Sequence, residues 1–261
     1  MRAFALILIL VLEASTAAAQ ETNTSWRDVG PRPVHRGPGN WGVGAGAFYS
    51  TEPYAGFDNE VVAFPMVTYF GPRLFVTGPR AGYKVVKWRG LTLTALAMYD
   101  FSGYEEDDSD VFDGMDDRDG TVMAGGVLSY DLPAKLEVEA EFMADILGRH
   151  DGRTGSLELQ RTWRRGKWFV TPGAGMAWQS PEVSDYYYGV RNREATPERP
   201  AYPLEDTFNL ELSLGFRYLR SERLLFIAMP RLEFLDREIR KSPLVSEDVL
   251  LSGFMGFSYS L

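Results

Sequence analysis

Hydrophobic and polar residues alternate along most of the chain between residues 41 and 261. Residues 135–142 read KLEVEAEF and residues 208–218 read FNLELSLGFRY. A period of two residues is that of a β-strand whose two faces meet different environments. Here one face suits hydrocarbon and the other suits water. The pattern predicts an all-β fold.

The alternating segments predict about twelve strands, and an even number is expected of a bacterial outer-membrane barrel. The predicted strands are 41–49, 61–69, 73–78, 81–87, 91–99, 121–130, 134–146, 154–162, 167–178, 207–219, 223–235 and 248–261. Most are long enough to cross a bilayer, which takes about nine to eleven tilted residues. Aromatic residues stand near many strand ends, as in the interfacial girdles of barrels.

A soluble β-sandwich would alternate in the same way, so the connections between strands decide the fold class. Every second connection is short: 70–72, 88–90, 131–133, 163–166 and 220–222. Most of the others are long: 50–60, 100–120, 147–153, 179–206 and 236–247, with the turn at 78–79 as the short exception. Short periplasmic turns and long extracellular loops are typical of outer-membrane barrels. We therefore predict a transmembrane antiparallel β-barrel of about 12 strands over residues 41–261.

The first forty residues have the features of an exported protein. Arg2, an apolar run over 3–12 and a small-residue site at 17–19 predict a cleaved signal peptide over residues 1–19. Residues 20–40 are polar and rich in proline, which predicts an extended periplasmic lead-in. The expected location is the outer membrane of a Gram-negative cell.

Composition removes several classes of partner and anchor. The chain has no cysteine, so neither an acylated cysteine nor a disulfide holds it. Its net charge of -9 argues against nucleic acid as a partner.

Little in the sequence suggests catalysis or a cofactor. The only histidines are His35, in the lead-in, and His150, which we interpret as a polar loop pair with Asp151. No serine motif accompanies them, so we expect no catalytic residue and no enzyme activity. Residues 100–119 are rich in carboxylates but lack the ordered spacing of a calcium loop. We expect a solvated acidic loop, with no metal and no cofactor.

Three segments carry a family resemblance. The first contains Pro181, Tyr186-Tyr187-Tyr188-Gly189-Val190, Glu194-Ala195 and Ala201-Tyr202; the others are 111–125 and 241–245. Three tyrosines alone would suggest a tyrosine-rich loop. Together, in this order and spacing, the segments resemble the MipA/OmpV family of outer-membrane proteins. One departure is the last residue, Leu261, where the family usually has an aromatic residue.

The resemblance implies a scaffold that holds a murein hydrolase and a bifunctional penicillin-binding protein near peptidoglycan. The alternative is a narrow pore or uptake channel, which a polar lumen would permit. Outer-membrane lipid and lipopolysaccharide are the other expected partners. The order of the connections places the tyrosine loop outside the cell, folded over or into the barrel mouth, whereas peptidoglycan enzymes lie in the periplasm.

A periplasmic partner can reach only the lead-in and the short turns, and those turns are basic and aromatic. The candidate partner-binding residues are Trp88, Arg89, Trp163, Arg164 and Arg165. Exposed Trp and Arg are enriched at interface hot spots. Anchoring to lipid head groups is the other interpretation of the same residues.

Overall fold

The computed structural model describes residues 40–57 and 59–261. The predicted signal peptide (1–19) and lead-in (20–40) lie outside these residues, except that Asn40 begins the first strand. Over the described chain, twelve antiparallel strands form one sheet. They are β1 (Asn40–Ser50), β2 (Glu60–Phe70), β3 (Leu74–Thr77), β4 (Arg80–Trp88), β5 (Leu91–Asp100), β6 (Thr121–Leu132), β7 (Leu136–Asp145), β8 (Arg153–Arg161 and Trp163–Arg165), β9 (Trp168–Gln179), β10 (Thr207–Leu219), β11 (Leu224–Phe234) and β12 (Val249–Ser260).

The sheet closes on itself because β12 pairs with β1. Their register runs without interruption from Gly42 opposite Ser260 to Ser50 opposite Ser252. Closure pairs β1 with β12, which would otherwise be free edges, and a bilayer disfavours free edges because it offers backbone groups no water. The short strand β3 pairs with β2 only from Thr68 to Phe70. The predicted barrel and its twelve strands are confirmed.

Strand β8 is interrupted at Thr162, but its register does not shift. Gln160 lies opposite Gly173, and Trp163 lies opposite Val170, so no residue is inserted between the two pieces. Pro172 lies on β9 at the level of the interruption. Proline has no N–H to donate, which explains the gap in the ladder.

Two helices lie in the connections: α1 (Pro181–Tyr188) and α2 (Arg237–Arg240). In the described part of the chain, neither is long and apolar enough to cross a membrane. Short 3₁₀ turns lie at Glu106–Asp108, Asp110–Phe112 and Pro133–Lys135.

The two faces of the strands differ as predicted. On β12, Met255, Phe257 and Tyr259 are exposed on the outer wall, whereas Phe254 and Ser258 are buried in the lumen. Apolar side chains cover the outer wall because they meet lipid there.

The lumen is less polar than the alternation suggested. Two clusters of apolar side chains pack inside the barrel. One contains Phe48, Met66, Leu225, Ile227 and Phe254, and the other contains Leu96, Met98, Met123, Val127 and Met143. Gly46 makes room for the first cluster, because a Cβ there would lie 2.3 Å from the Phe254 ring.

Several other lumen side chains are charged, and two buried ion pairs lie among them. Arg231 lies 2.7 Å from Glu211, and Arg80 lies 3.5 Å from Glu141. Charges buried in a barrel need such partners because desolvation is costly. Paired charges and apolar clusters together fill much of the interior.

Candidate functional sites at the two ends of the barrel

The long connections fold into one structure over the extracellular mouth, which we call the cap. It consists of residues 51–57, 101–120, 146–152, 180–206 and 235–248. Their buried apolar side chains form a single cluster that also includes Leu250 of β12. The cap members of that cluster are Tyr54, Tyr104, Phe112, Met115, Val183, Tyr187, Tyr188, Val190, Leu204, Leu235, Ile239 and Leu244. The cap therefore has a core of its own.

The tyrosine triplet, predicted as a loop, forms the last three residues of helix α1. The helix begins at Pro181, a position where proline is favoured because its missing N–H is not needed. It ends at Gly189, whose N–H donates to the Asp185 carbonyl at 3.0 Å. A Cβ on Gly189 would lie 2.4 Å from that carbonyl oxygen, so glycine is required there. The loop prediction was wrong in secondary structure, although the triplet does lie in the barrel mouth.

The last three carbonyls of helix α1 join three other cap connections. The Tyr186 carbonyl accepts from Arg118 Nε at 2.7 Å, and the Tyr187 carbonyl accepts from Tyr54 Oη at 3.1 Å. The Tyr188 carbonyl accepts from Ser242 Oγ at 2.6 Å. The final carbonyls of a helix have no partner within the helix. In this protein the last three carbonyls of helix α1 link it to three other connections of the cap.

A buried ion pair lies beside this junction. Arg118 Nη2 donates to both carboxylate oxygens of Glu194 at 3.0 and 2.9 Å, and both side chains are fully buried. The Arg118 guanidinium also lies over the rings of Tyr104 and Tyr186, at 5.6 and 5.4 Å from their centres. Charge-assisted hydrogen bonds to both carboxylate oxygens and the ring contacts offset the cost of burying the charges.

A second buried arginine joins the same two connections. Arg199 donates to the backbone carbonyls of Val111, Asp113 and Glu194, the last two at 2.9 and 2.7 Å. Connections 101–120 and 180–206 are thus held together by two arginines. Both arginines lie within or beside the segments that carry the family resemblance.

The acidic residues of 100–119 bond largely to the backbone of their own connection. Glu106 Oε1 accepts from Gly114 N at 2.7 Å, and Asp117 Oδ1 accepts from Glu106 N at 2.9 Å. In the described part of the chain, no three histidine, aspartate or glutamate side chains are grouped as metal ligands.

His150 is buried beneath helix α1 rather than paired with Asp151. Its Nδ1 accepts from Gly152 N at 2.9 Å and lies 3.8 Å from Asp145 Oδ2. The rings of Tyr186 and Tyr187 lie 5.6 and 5.8 Å away. Burial lowers the pKa of His150 despite the nearby carboxylates, so the folded cap favours the neutral imidazole. The interpretation of His150 and Asp151 as a polar loop pair was wrong, because the His150 side chain lies beside Asp145 and the tyrosines. The backbone N–H groups of His150 and Asp151 both donate to Asp145 Oδ2, at 2.9 and 3.1 Å.

At the other end of the barrel, the short turns form the periplasmic rim. The candidate partner-binding residues lie there in two separate patches. Trp88 ends β4, and the Arg89 guanidinium lies 5.1 Å from its ring centre. Trp163, Arg164 and Arg165 lie on β8, with β5, β6 and β7 between the two patches.

Strand alternation divides the second patch between two faces. Trp163 lies opposite Val170, whose row continues across the sheet to the exposed Met255 on the outer wall. Arg164 lies opposite Phe169, on the lumen face. The guanidinium groups of Arg164 and Arg217 lie 5.1 and 5.4 Å from the Phe169 ring centre.

Aromatic side chains on the outer wall mark the membrane boundary at this end. Trp41 packs against Tyr69 with ring centres 4.9 Å apart, and Trp168 packs against Tyr218 at 4.5 Å. Trp88 and Trp163 are also exposed on this wall. The predicted aromatic girdle is present at the periplasmic ends of the strands.

The sequence analysis did not identify the polar residues that assemble the cap. They are Tyr54, Arg118, Arg199 and Ser242. One signal was available: Arg118 is the lone cation in the acidic segment 100–119. Ser242 lies in segment 241–245, which carries the family resemblance, whereas Tyr54 carries no local signal because its partner is distant in sequence.

Comparison with known proteins agrees with this architecture. Residues 43–261 match the family described as MltA-interacting protein MipA. The Escherichia coli K12 protein named "Putative outer membrane protein YiaT" is 29% identical, covering 83% of this chain and 89% of the relative. The protein named "MltA-interacting protein" of the same organism is 28% identical, covering 82% and 87%. The protein named "Outer membrane protein OmpV" of Vibrio cholerae is 26% identical, covering 94% of each chain. This chain therefore belongs to the MltA-interacting protein (MipA) family and is an outer-membrane β-barrel.

Proposed function

We propose that this barrel is a non-enzymatic scaffold that binds a periplasmic murein hydrolase at its periplasmic rim and, with it, a penicillin-binding protein. The observation that carries the proposal is the difference between the two ends of the barrel. The cap closes over one end with its own core. The other end presents exposed Trp88 and Trp163 with neighbouring arginines. The name of the relative called MltA-interacting protein supports a hydrolase as the partner.

The rim has the chemistry of a binding surface for an acidic partner. Arg89 and Arg164 each lie over an aromatic ring, which restricts the guanidinium before any partner arrives. Ordering a side chain in advance reduces the entropy lost on binding. Trp88 and Trp163 lie on the outer wall and would hold the rim at the membrane surface.

A narrow pore is the second candidate function. Buried glutamates in the lumen favour it. Glu139, Glu158 and Glu233 are buried inside the barrel, where they would attract cations. The apolar lumen clusters and the cap count against an open path. A twelve-strand barrel is also narrower than the 16–18-stranded porins.

Replacing Trp163, Arg164 and Arg165 by alanine is expected to weaken hydrolase binding by roughly tenfold or more, because truncated hot-spot residues commonly cost over 1 kcal/mol each. The measurement is a pull-down of the purified hydrolase on the detergent-solubilised barrel. Arg73→Ala, an exposed cation on another short turn, is the matched control and should bind normally.

Replacing Tyr186, Tyr187 and Tyr188 by alanine in the same assay should loosen the cap and leave binding intact. If the tyrosine variant loses the hydrolase and the rim variant keeps it, the assignment of binding to the periplasmic rim is wrong.

A further inference from the structure

Two arginines and a tryptophan follow one another on the outer wall of β8. Leu157 and Leu159 are exposed on this wall, and the register of β8 against β9 continues without a shift. Arg161, Trp163 and Arg165 therefore take the next three outward positions. Arg165 lies opposite Trp168, which is itself 51% exposed on the outer wall.

Arg161 stands deeper in the membrane than the aromatic girdle. It is two residues farther from the turn than Trp163, which is roughly 7 Å along a strand. Its guanidinium lies 5.1 Å from the Trp163 ring centre, so the side chain runs along the wall toward the girdle. A lipid-facing arginine is costly away from the interface, and reaching the head-group level relieves that cost.

The protein itself supplies no anion for these two cations. Among the described residues, no carboxylate lies within ion-pair distance of Arg161 or Arg165. Arg161 Nε is buried from water and has no hydrogen-bond partner in the described chain. Because Nε is closed off, an acceptor from outside the protein can reach only the terminal nitrogens of Arg161 and the exposed Arg165.

We propose that Arg161, Trp163, Arg165 and Trp168 bind the phosphate of an anionic phospholipid in the periplasmic leaflet. The guanidinium group donates in a planar fork that matches two phosphate oxygens, and the tryptophan rings fit the glycerol level of the bilayer. Two cations favour a head group with net negative charge over a zwitterionic one. This site shares Trp163 and Arg165 with the proposed hydrolase-binding rim, but lipid binding at the outer wall does not require a hydrolase.

The test is native mass spectrometry of the purified barrel mixed with equal amounts of phosphatidylglycerol and phosphatidylethanolamine. Wild-type protein should retain the anionic lipid in preference, and Arg161→Gln with Arg165→Gln should reduce that preference by roughly tenfold. Arg220→Gln with Arg223→Gln removes two exposed cations from a turn at the same end and is the matched control. It should keep the preference.

Inorganic phosphate added as a competitor separates a lipid site from a site for the free anion. Bound phosphatidylglycerol should resist it, and displacement by phosphate would overturn the assignment to lipid.

Heat-modifiable mobility shows whether each variant is folded, and Arg165→Gln alone is used if the double variant does not fold. Equal lipid preference in wild type and the Arg161/Arg165 variant would contradict the proposal. Hydrolase pull-down by Arg161→Gln should be normal in either case, which separates this result from the fate of the scaffold proposal.

Discussion

Arg118→Ala is expected to open the cap while the barrel stays closed. The substitution leaves the Glu194 carboxylate buried without its cation and removes the donor to the Tyr186 carbonyl. Breaking a buried ion pair from one side costs about 3–5 kcal/mol. The apolar cap core and Arg199 remain, so the expected effect is local opening of connections 101–120 and 180–206 and not unfolding of the whole cap. Protease cleavage within 101–120 and 180–206 should rise by orders of magnitude, with heat-modifiable mobility unchanged.

Two further variants make this result specific to the buried pair. Arg193→Ala breaks an ion pair with Asp116 in which the arginine side chain is 68% exposed, and exposed pairs contribute only about 0–1 kcal/mol. It should leave protection intact. Arg118→Met combined with Glu194→Met removes both charges and should restore much of the protection, because no buried charge is left unpaired. Equal protection in Arg118→Ala and wild type would show that the cap does not depend on this pair.

Replacing Phe257 and Tyr259 by serine is expected to lower the amount of protein in the outer membrane sharply. Both lie on the outer wall of β12, the strand that closes the barrel against β1. Each replacement gives up about 1.5–3 kcal/mol of transfer into hydrocarbon. By resemblance to other barrels, Leu261 is a weak assembly signal. Phe257 and Tyr259 should therefore contribute more to assembly. Outer-membrane fractionation with immunoblotting gives the measurement.

Ser252→Ala is the matched control on the same strand, because Ser252 faces the lumen. It should assemble at the wild-type level. Normal assembly of the Phe257/Tyr259 variant would mean that β12 does not close the barrel through its lipid-facing residues.

The strands were predictable because a barrel wall separates lipid from lumen at every second residue. Each predicted strand lies within two residues of an observed one except the predicted strand 154–162, because β8 continues through Trp163–Arg165, which had been predicted as part of a turn. The difference at the start of β7 has a local cause. Residues Pro133–Lys135 form a 3₁₀ turn in which Ala134 and Lys135 have φ of 62° and 61°. Residues other than glycine rarely adopt such values, so the sequence gives no sign of them.

The apolar part of the lumen could have been recognised from the sequence. On β12 the lumen positions include Leu250 and Phe254 as well as Ser252. On β1 the residues opposite Phe254 and Ser252 are Phe48 and Ser50, and Gly46 is the next lumen position after Phe48. A bulky residue beside a glycine on the same face indicates close packing across the interior. The sequence analysis compared the two faces of each strand only by polarity and did not compare the sizes of the side chains on the lumen face.

The cap was not predictable because its contacts join distant segments. Arg118 and Glu194 are 76 residues apart, and Tyr54 and Tyr187 are 133 apart. Helix α1 has eight residues, too few for a helical period to stand out, although Pro181 followed by Glu182 is a helix-start signal. The family resemblance located these segments without revealing that they pack together.

The conductance of the wild-type barrel in planar bilayers tests the account most directly. An end closed by a packed cap, above a lumen filled by apolar clusters and paired charges, should give little or no steady current. Arg118→Ala, with its cap released, should still conduct weakly because the lumen clusters remain. Large, stable, cation-selective openings of the wild-type protein would contradict the account and favour the pore over the scaffold.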